Sequence, residues 1–228
     1  YGVDIIPADH FDVVVIDEFH HAQARTYRTI LDHLQPTELL GLTATPERAD
    51  GTDVAQTFFD GRIAAELRLW DALASELLSP FHYFGISDGT DLSAITWKRG
   101  AYDTQALEQV YTGNDARSAL ILQAVRDKIA NQRAMKALGF CVSVAHAEYM
   151  ARVFSEAGIP AAAVTSDPGS ADRTQALAEL RAGHLSVIFT VDMFNEGIDL
   201  PSVDTVLFLR PTESATIFLQ QLGRGLRR

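Results

Sequence analysis

The chain has 228 residues, 47% of them hydrophobic and 21% charged, and a formal net charge of -11 from nineteen basic and thirty acidic residues. That length holds one large or two small domains, and the composition excludes a disordered tail, a collagen and a coiled-coil rod. No apolar run reaches the length of a membrane span. No basic stretch followed by an apolar one opens the chain. A single cysteine, Cys141, excludes a disulfide framework and a multi-cysteine zinc site; its apolar run predicts a buried small hydrophobe. The expected setting is cytoplasmic, with no membrane partner. The acidic balance lacks the overall basic footprint of most nucleic-acid binders, but a locally basic cleft is compatible with it.

Residues 11–17 read Phe-Asp-Val-Val-Val-Ile-Asp, and their continuous β-branched apolar run over 13–16 predicts a buried parallel strand. Tyr27, Ile30, Leu31 and Leu34 recur at helical spacing over 23–34. A second short strand is expected over 39–43, then helices over 53–59 and 71–78, and a strand with aromatic content over 82–87. The polar, glycine-containing stretch 88–100 marks a domain boundary. Helices follow over 102–111 and from Asp115 towards Gly139. From there strands over 140–145, 161–165, 185–190 and 205–209 alternate with helices over 147–157, 172–181 and 214–222. Such alternation means βαβ units and an α/β fold with parallel sheets covered by helices.

Four groups of residues carry chemistry. Asp17-Glu18-Phe19-His20 directly follows the first strand, where ligands of open parallel sheets gather. An aspartate there can hold magnesium and a neighbouring glutamate can polarise water; alternatively the pair caps the next helix. Thr43-Ala44-Thr45-Pro46 ends the second strand, either as a plain turn or as hydroxyls that relay between sites. Thr190, Gly197 and Asp199 bracket a long loop after a strand. Gln220-Gln221-Leu222-Gly223-Arg224-Gly225-Leu226-Arg227 places two arginines three apart, on one face if helical. They form either a solvated basic end or a pair that stabilises transferring phosphoryl charge.

In order and spacing these groups resemble the motifs of superfamily 2 helicases and translocases. Asp17-Glu18-Phe19-His20 is similar to motif II of the DEAH-like type, and Thr43-Ala44-Thr45 to motif III. Residues 140–145 with His146 resemble motif IV, 190–199 motif V, and Gln220-x-x-Gly-Arg-x-x-Arg227 motif VI. The strings at 17–22 and 42–48 further resemble a bacterial subgroup. Its full-length members often carry a phospholipase-D-like nuclease domain before the motor and an uncharacterised domain after it.

The resemblance implies two RecA-like parallel-sheet lobes of a P-loop NTPase motor, the first incomplete. It implies lobe 1 over 1–88, a linker and helix over 89–117, and lobe 2 over 118–228. The implied cofactors are ATP and Mg2+, and the implied partner is nucleic acid, expected to be DNA, held through its backbone. Asp17 is implied as the magnesium ligand, Glu18 as activator of the hydrolytic water, and His20 as the link to motif VI. Thr43 and Thr45 would couple hydrolysis to movement, and Thr190 would lie near the nucleic-acid backbone. Gly197 and Asp199 would face the nucleotide cleft; Gln220, Gly223, Arg224 and Arg227 would complete it.

No Gly-x-x-x-x-Gly-Lys-Ser/Thr loop occurs in the chain. The expectation is therefore a fragment of a longer motor, inactive alone, whose exposed first-lobe sheet invites self-association. Two rivals share the motifs. One is a double-strand translocase or restriction/defence motor subunit without strand separation. The other is a non-catalytic helicase-like binding domain. A Ser-His-Asp hydrolase finds no Gly-x-Ser-x-Gly elbow.

Overall fold

A computed structural model describes residues 2–44, 53–98, 101–167, 170–191, 203–212 and 214–226. The chain divides into two compact units, Tyr1–Leu67 and Arg68–Arg228. In the first unit, strands β1 (Val13–Ile16) and β2 (Glu38–Gly41) pair in parallel, Val13 opposite Glu38 and Ile16 opposite Gly41. Helix α1 (Arg25–His33) connects them, and α2 (Val54–Phe59) follows, capped by the Asp53 carboxylate on the N–H groups of Ala55 and Gln56.

The core of this unit is Phe19, Ala22 and Val54, with Ile16, Leu31, Phe58 and Phe59 against it. Phe19 lies over Gly41, where an added Cβ would stand 2.7 Å from its ring. Only glycine admits this approach without displacing the ring. Burial alternates along both strands, and Val13, Val15, Leu40 and Leu42 face outward and exposed.

The second unit opens with α3 (Leu69–Ala74), shorter than the expected 71–78 because Ser75 caps it and Glu76 adopts a left-handed conformation. Residues 82–87, expected as a strand, lie in no strand. Their aromatic side chains make ring contacts instead: Tyr83 meets Phe218 edge-on and the ammonium of Lys128 sits over Phe84. A two-residue antiparallel pair, β3 (Trp97–Lys98) and β4 (Ala101–Tyr102), leads into α4 (Thr104–Tyr111) and α5 (Asp115–Lys128).

Then come β5 (Ala137–Phe140), α6 (Val144–Glu156), β6 (Ala161–Ala163), α7 (Arg173–Ala182), β7 (Val187–Thr190), β8 (Thr205–Phe208) and α8 (Ala215–Gly223). The four strands form one parallel sheet in the order β6-β7-β5-β8. The chain is therefore α/β and RecA-like, with two parallel sheets flanked by helices, the first smaller.

Strand β5 ends earlier than the expected 140–145. The Ser143 hydroxyl accepts the N–H of His146, and that cap starts α6 at Val144 despite its β-branched side chain. Every residue of β5 and β7 is buried, as helices on both faces require. Gly139 lies under Phe189, so that a Cβ there would meet the ring at 2.3 Å.

The outer edge of β6 is closed by its own chain. The Ser155 hydroxyl donates to the Ala161 carbonyl at 3.2 Å and the Ala171 N–H to the Ala163 carbonyl at 3.3 Å. Cys141 is fully buried, as expected, and burial pushes its thiol far above the usual range. A thiol reagent is therefore expected to leave the folded chain unmodified and to titrate one thiol after denaturation; labelling under native conditions would contradict this packing. Among the described residues no helix is long and apolar enough to cross a membrane.

Candidate functional site

In the first unit the acidic group sits just past the carboxyl end of β1. Glu18 takes a left-handed conformation, φ 49° and ψ 47°, uncommon for a residue with a side chain. Its N–H donates to Asp17 Oδ1 at 2.9 Å. The turn drops Phe19 into the core, and the Phe19 N–H donates to the Leu42 carbonyl at 2.8 Å. The same step aligns the exits of both strands. His20 is buried, and its Nδ1 stands 3.2 Å from Thr43 Oγ1 and 3.5 Å from Glu18 Oε2. Asp17 is exposed and Glu18 partly exposed. Asp17, Glu18, His20 and Thr43 thus meet at one sheet end, while Thr45 lies outside the described residues.

Among the described residues no group of three or more His, Cys, Asp or Glu could hold a metal alone. Two carboxylates with hard oxygen donors suit a magnesium ion that keeps waters and phosphate oxygens as its other ligands. The donor set therefore fits magnesium nucleotide better than a self-contained metal centre.

In the second unit Thr190 ends β7 and is fully buried, and its Oγ1 has no hydrogen-bond partner. Its carbonyl accepts the Cys141 N–H at 2.7 Å. Gly197, Asp199 and Arg227 lie outside the described residues. Gln220 and Gly223 lie on α8, capped by Ser214. Arg224 follows as the C-cap of α8, its backbone still in the right-handed helical region at φ -67° and ψ -31°.

His146 is wholly buried at the start of α6. Its Nδ1 accepts the Val142 N–H at 3.3 Å, so the neutral ring carries its proton on Nε2, which has no hydrogen-bond partner. Burial, with the nearby Arg117 cation, pushes its pKa down to about 4. The unfolded chain binds this proton from about pH 6.5 downward, whereas the folded chain resists until about 4. The histidine's contribution to stability is present above that window and falls as pH drops through it, by about 3 kcal/mol in total. Replacing His146 with phenylalanine is expected to flatten the loss of denaturation midpoint between pH 6.5 and 4. An unchanged slope would place the proton uptake elsewhere.

Sequence reading did not single out Arg117 and Asp88. Arg117 is buried on α5, and its Nε donates to Asp88 Oδ2 at 2.6 Å. Burial works to raise the Asp88 carboxyl, but the Thr90 N–H and the Arg117 guanidinium outweigh it and hold the pKa below the usual range. An arginine within a mixed helix carries no periodic signal, and only the fold reveals its burial.

A family described as helicase conserved C-terminal domain matches residues 120–228, and one described as type III restriction enzyme, res subunit, matches residues 5–48. Residues 120–228 are thus helicase-like, and residues 5–48 are similar to a restriction-enzyme subunit. The chain is 30% identical to a 51.5 kDa protein of a Lactococcus phage over 94% of the chain and 46% of that protein. It is 27% identical to a Saccharomyces cerevisiae protein described as ATP-dependent helicase IRC3, over 95% of the chain and 32% of that protein. A solved fragment described as an HsdR subunit of a type I restriction enzyme from Vibrio vulnificus superposes with a TM-score of 0.75. It is 25% identical and covers 98% of the chain and 42% of that fragment. The helicase-like chain thus spans less than half the length of these proteins.

Proposed function

We propose that this chain is part of the motor core of an ATP-dependent helicase or translocase, cytoplasmic, acting on DNA through its phosphate backbone. The observation that carries this reading is the meeting of Asp17, Glu18, His20 and Thr43 at the carboxyl ends of two paired parallel strands. The strings at 17–22 and 42–48 favour the bacterial nuclease-linked subgroup. The proposed organisation is lobe 1 over 1–88, a linker and helix over 89–117, and lobe 2 over 118–228.

In this reading Asp17 holds the magnesium ion and Glu18 orients and deprotonates the attacking water. His20, bonded to Thr43, ties the nucleotide site to motif III, and Thr45 extends that link. Gln220, Gly223, Arg224 and Arg227 would contribute groups that bind and neutralise phosphate, and Gly197 and Asp199 would contribute nucleotide contacts. Thr190 supports the strand-binding side. Bound magnesium nucleotide supplies the phosphoryl group whose transfer drives the cycle. A phosphate-cradling loop comes from outside this sequence, so the isolated chain binds nucleotide weakly and turns it over poorly. The exposed face of Val13, Val15, Leu40 and Leu42 supports self-association of the isolated chain.

The test is magnesium-dependent ATP turnover by the complete gene product with and without single- and double-stranded DNA. DNA-stimulated turnover is expected. No turnover would leave the non-catalytic binding reading in its place, and turnover that ignores nucleic acid would overturn the DNA-motor reading. The likeness to restriction-enzyme subunits favours a second form of the proposal, translocation on duplex DNA without strand separation. Displacement of a triplex strand without unwinding of a forked duplex would select it.

A further inference from the structure

We propose that Asp88 and Arg117 form a latch that positions the arginine turn at 223–226, making both positioning residues for the reaction assigned above. The inference rests on that reading for its function but not for its geometry. All of its parts lie in the second unit.

One buried guanidinium holds three elements. Arg117 Nε donates to Asp88 Oδ2 at 2.6 Å, and Nη2 donates to the Leu209 carbonyl at 3.0 Å. The face of the Tyr111 ring lies 4.0 Å from its central carbon, a cation–π contact strengthened by burial. Leu209 is the first residue after β8, on the path into α8, so this bond fixes the entrance to the helix that ends in Arg224.

The other bond fixes its exit. Asp88 closes a strap, residues 79–88, that contains no helix or strand. At its start the Ser79 N–H donates to the Leu226 carbonyl at 2.9 Å, two residues past Arg224. In its middle the Tyr83 ring meets Phe218 of α8 edge-on at 6.4 Å, and Phe218 lies 5.0 Å from Phe208 of β8. The strap thus runs from the arginine turn along α8 to Asp88. It makes no ladder of backbone bonds to hold it, unlike a strand. An extended segment so weakly anchored is free to drift unless its end is fixed, and an ion pair with a buried arginine fixes it. The carboxylate is 25% exposed and the arginine 9%, so the pair is shielded enough to be only weakly screened by salt.

The test has two arms. In the complete gene product, Asp88→Asn is expected to lower kcat for DNA-stimulated ATP turnover about tenfold, with KM for ATP little changed. Asp88→Glu restores it, and Asp88→Asn adds little to the loss caused by Arg224→Ala. Unchanged kcat, or losses that multiply in the double variant, would overturn the positioning role. In the isolated chain, amide hydrogen exchange reads the latch without any turnover. Asp88→Asn is expected to speed exchange over 217–226 about tenfold while β5 and β7 stay protected. Unchanged exchange over 217–226, or a uniform rise across the unit, would overturn the latch. If the wild-type gene product hydrolyses no ATP, the functional reading fails while the exchange arm still decides the latch.

Discussion

Replacing Glu18 with glutamine is expected to lower ATP turnover by the complete gene product about 10²- to 10⁴-fold, the range for loss of a general base. KM for ATP should change little, because the interaction lost is one made in the transition state. Glutamine keeps the shape of the side chain and loses only its capacity to take a proton. The local fold should tolerate it. Asp17 Oδ1 binds the backbone N–H of residue 18, and Phe19 anchors the turn from below. An unchanged melting temperature alongside the lost turnover is therefore part of the expected result. Turnover that survives in Glu18→Gln would remove this residue from the base role and send the search to another proton acceptor near β1.

Replacing Gly139 with valine is expected to destabilise the second unit by at least about 3 kcal/mol, read as a lower midpoint in denaturant. The first added carbon alone would stand 2.3 Å and 2.5 Å from two atoms of the Phe189 ring. Phe189 is wholly buried and packs edge-on against Phe154 of α6 at 5.0 Å, so it has nowhere to retreat. The loss is a large part of the stability of an ordinary domain. Phe189→Leu alone should destabilise through a cavity, yet Gly139→Ala with Phe189→Leu should lose less than the two single changes summed. Additive losses would mean that the two positions do not touch.

The position of Asp17 and Thr43 just past two strands was legible from the apolar runs that precede them, and the parallel pairing of β1 with β2 brings His20 within reach of Thr43. Most strands were readable from apolar runs, but their limits were not. The Ser143 cap turned the end of the 140–145 run into helix, and a left-handed Glu76 cut α3 short. The missing strand at 82–87 has a different cause. Its aromatic composition suits a strand, but a strand also needs a neighbouring edge, and that requirement is not written in the segment itself. The Asp88–Arg117 pair joins residues twenty-nine apart through a fold that brings α5 beside the strap. No local pattern announces such a contact.

The closed edge of β6 affects how the chain behaves when concentrated or refolded. Three consecutive alanines beside open carbonyls would offer a smooth template for another chain's backbone. Ser155 and Ala171 occupy the outward carbonyls of that strand, which removes the acceptors that a second chain's backbone would need there. Charge placed at Val13 or Leu40, which stand exposed on β1 and β2, is therefore expected to raise the solubility of the isolated chain.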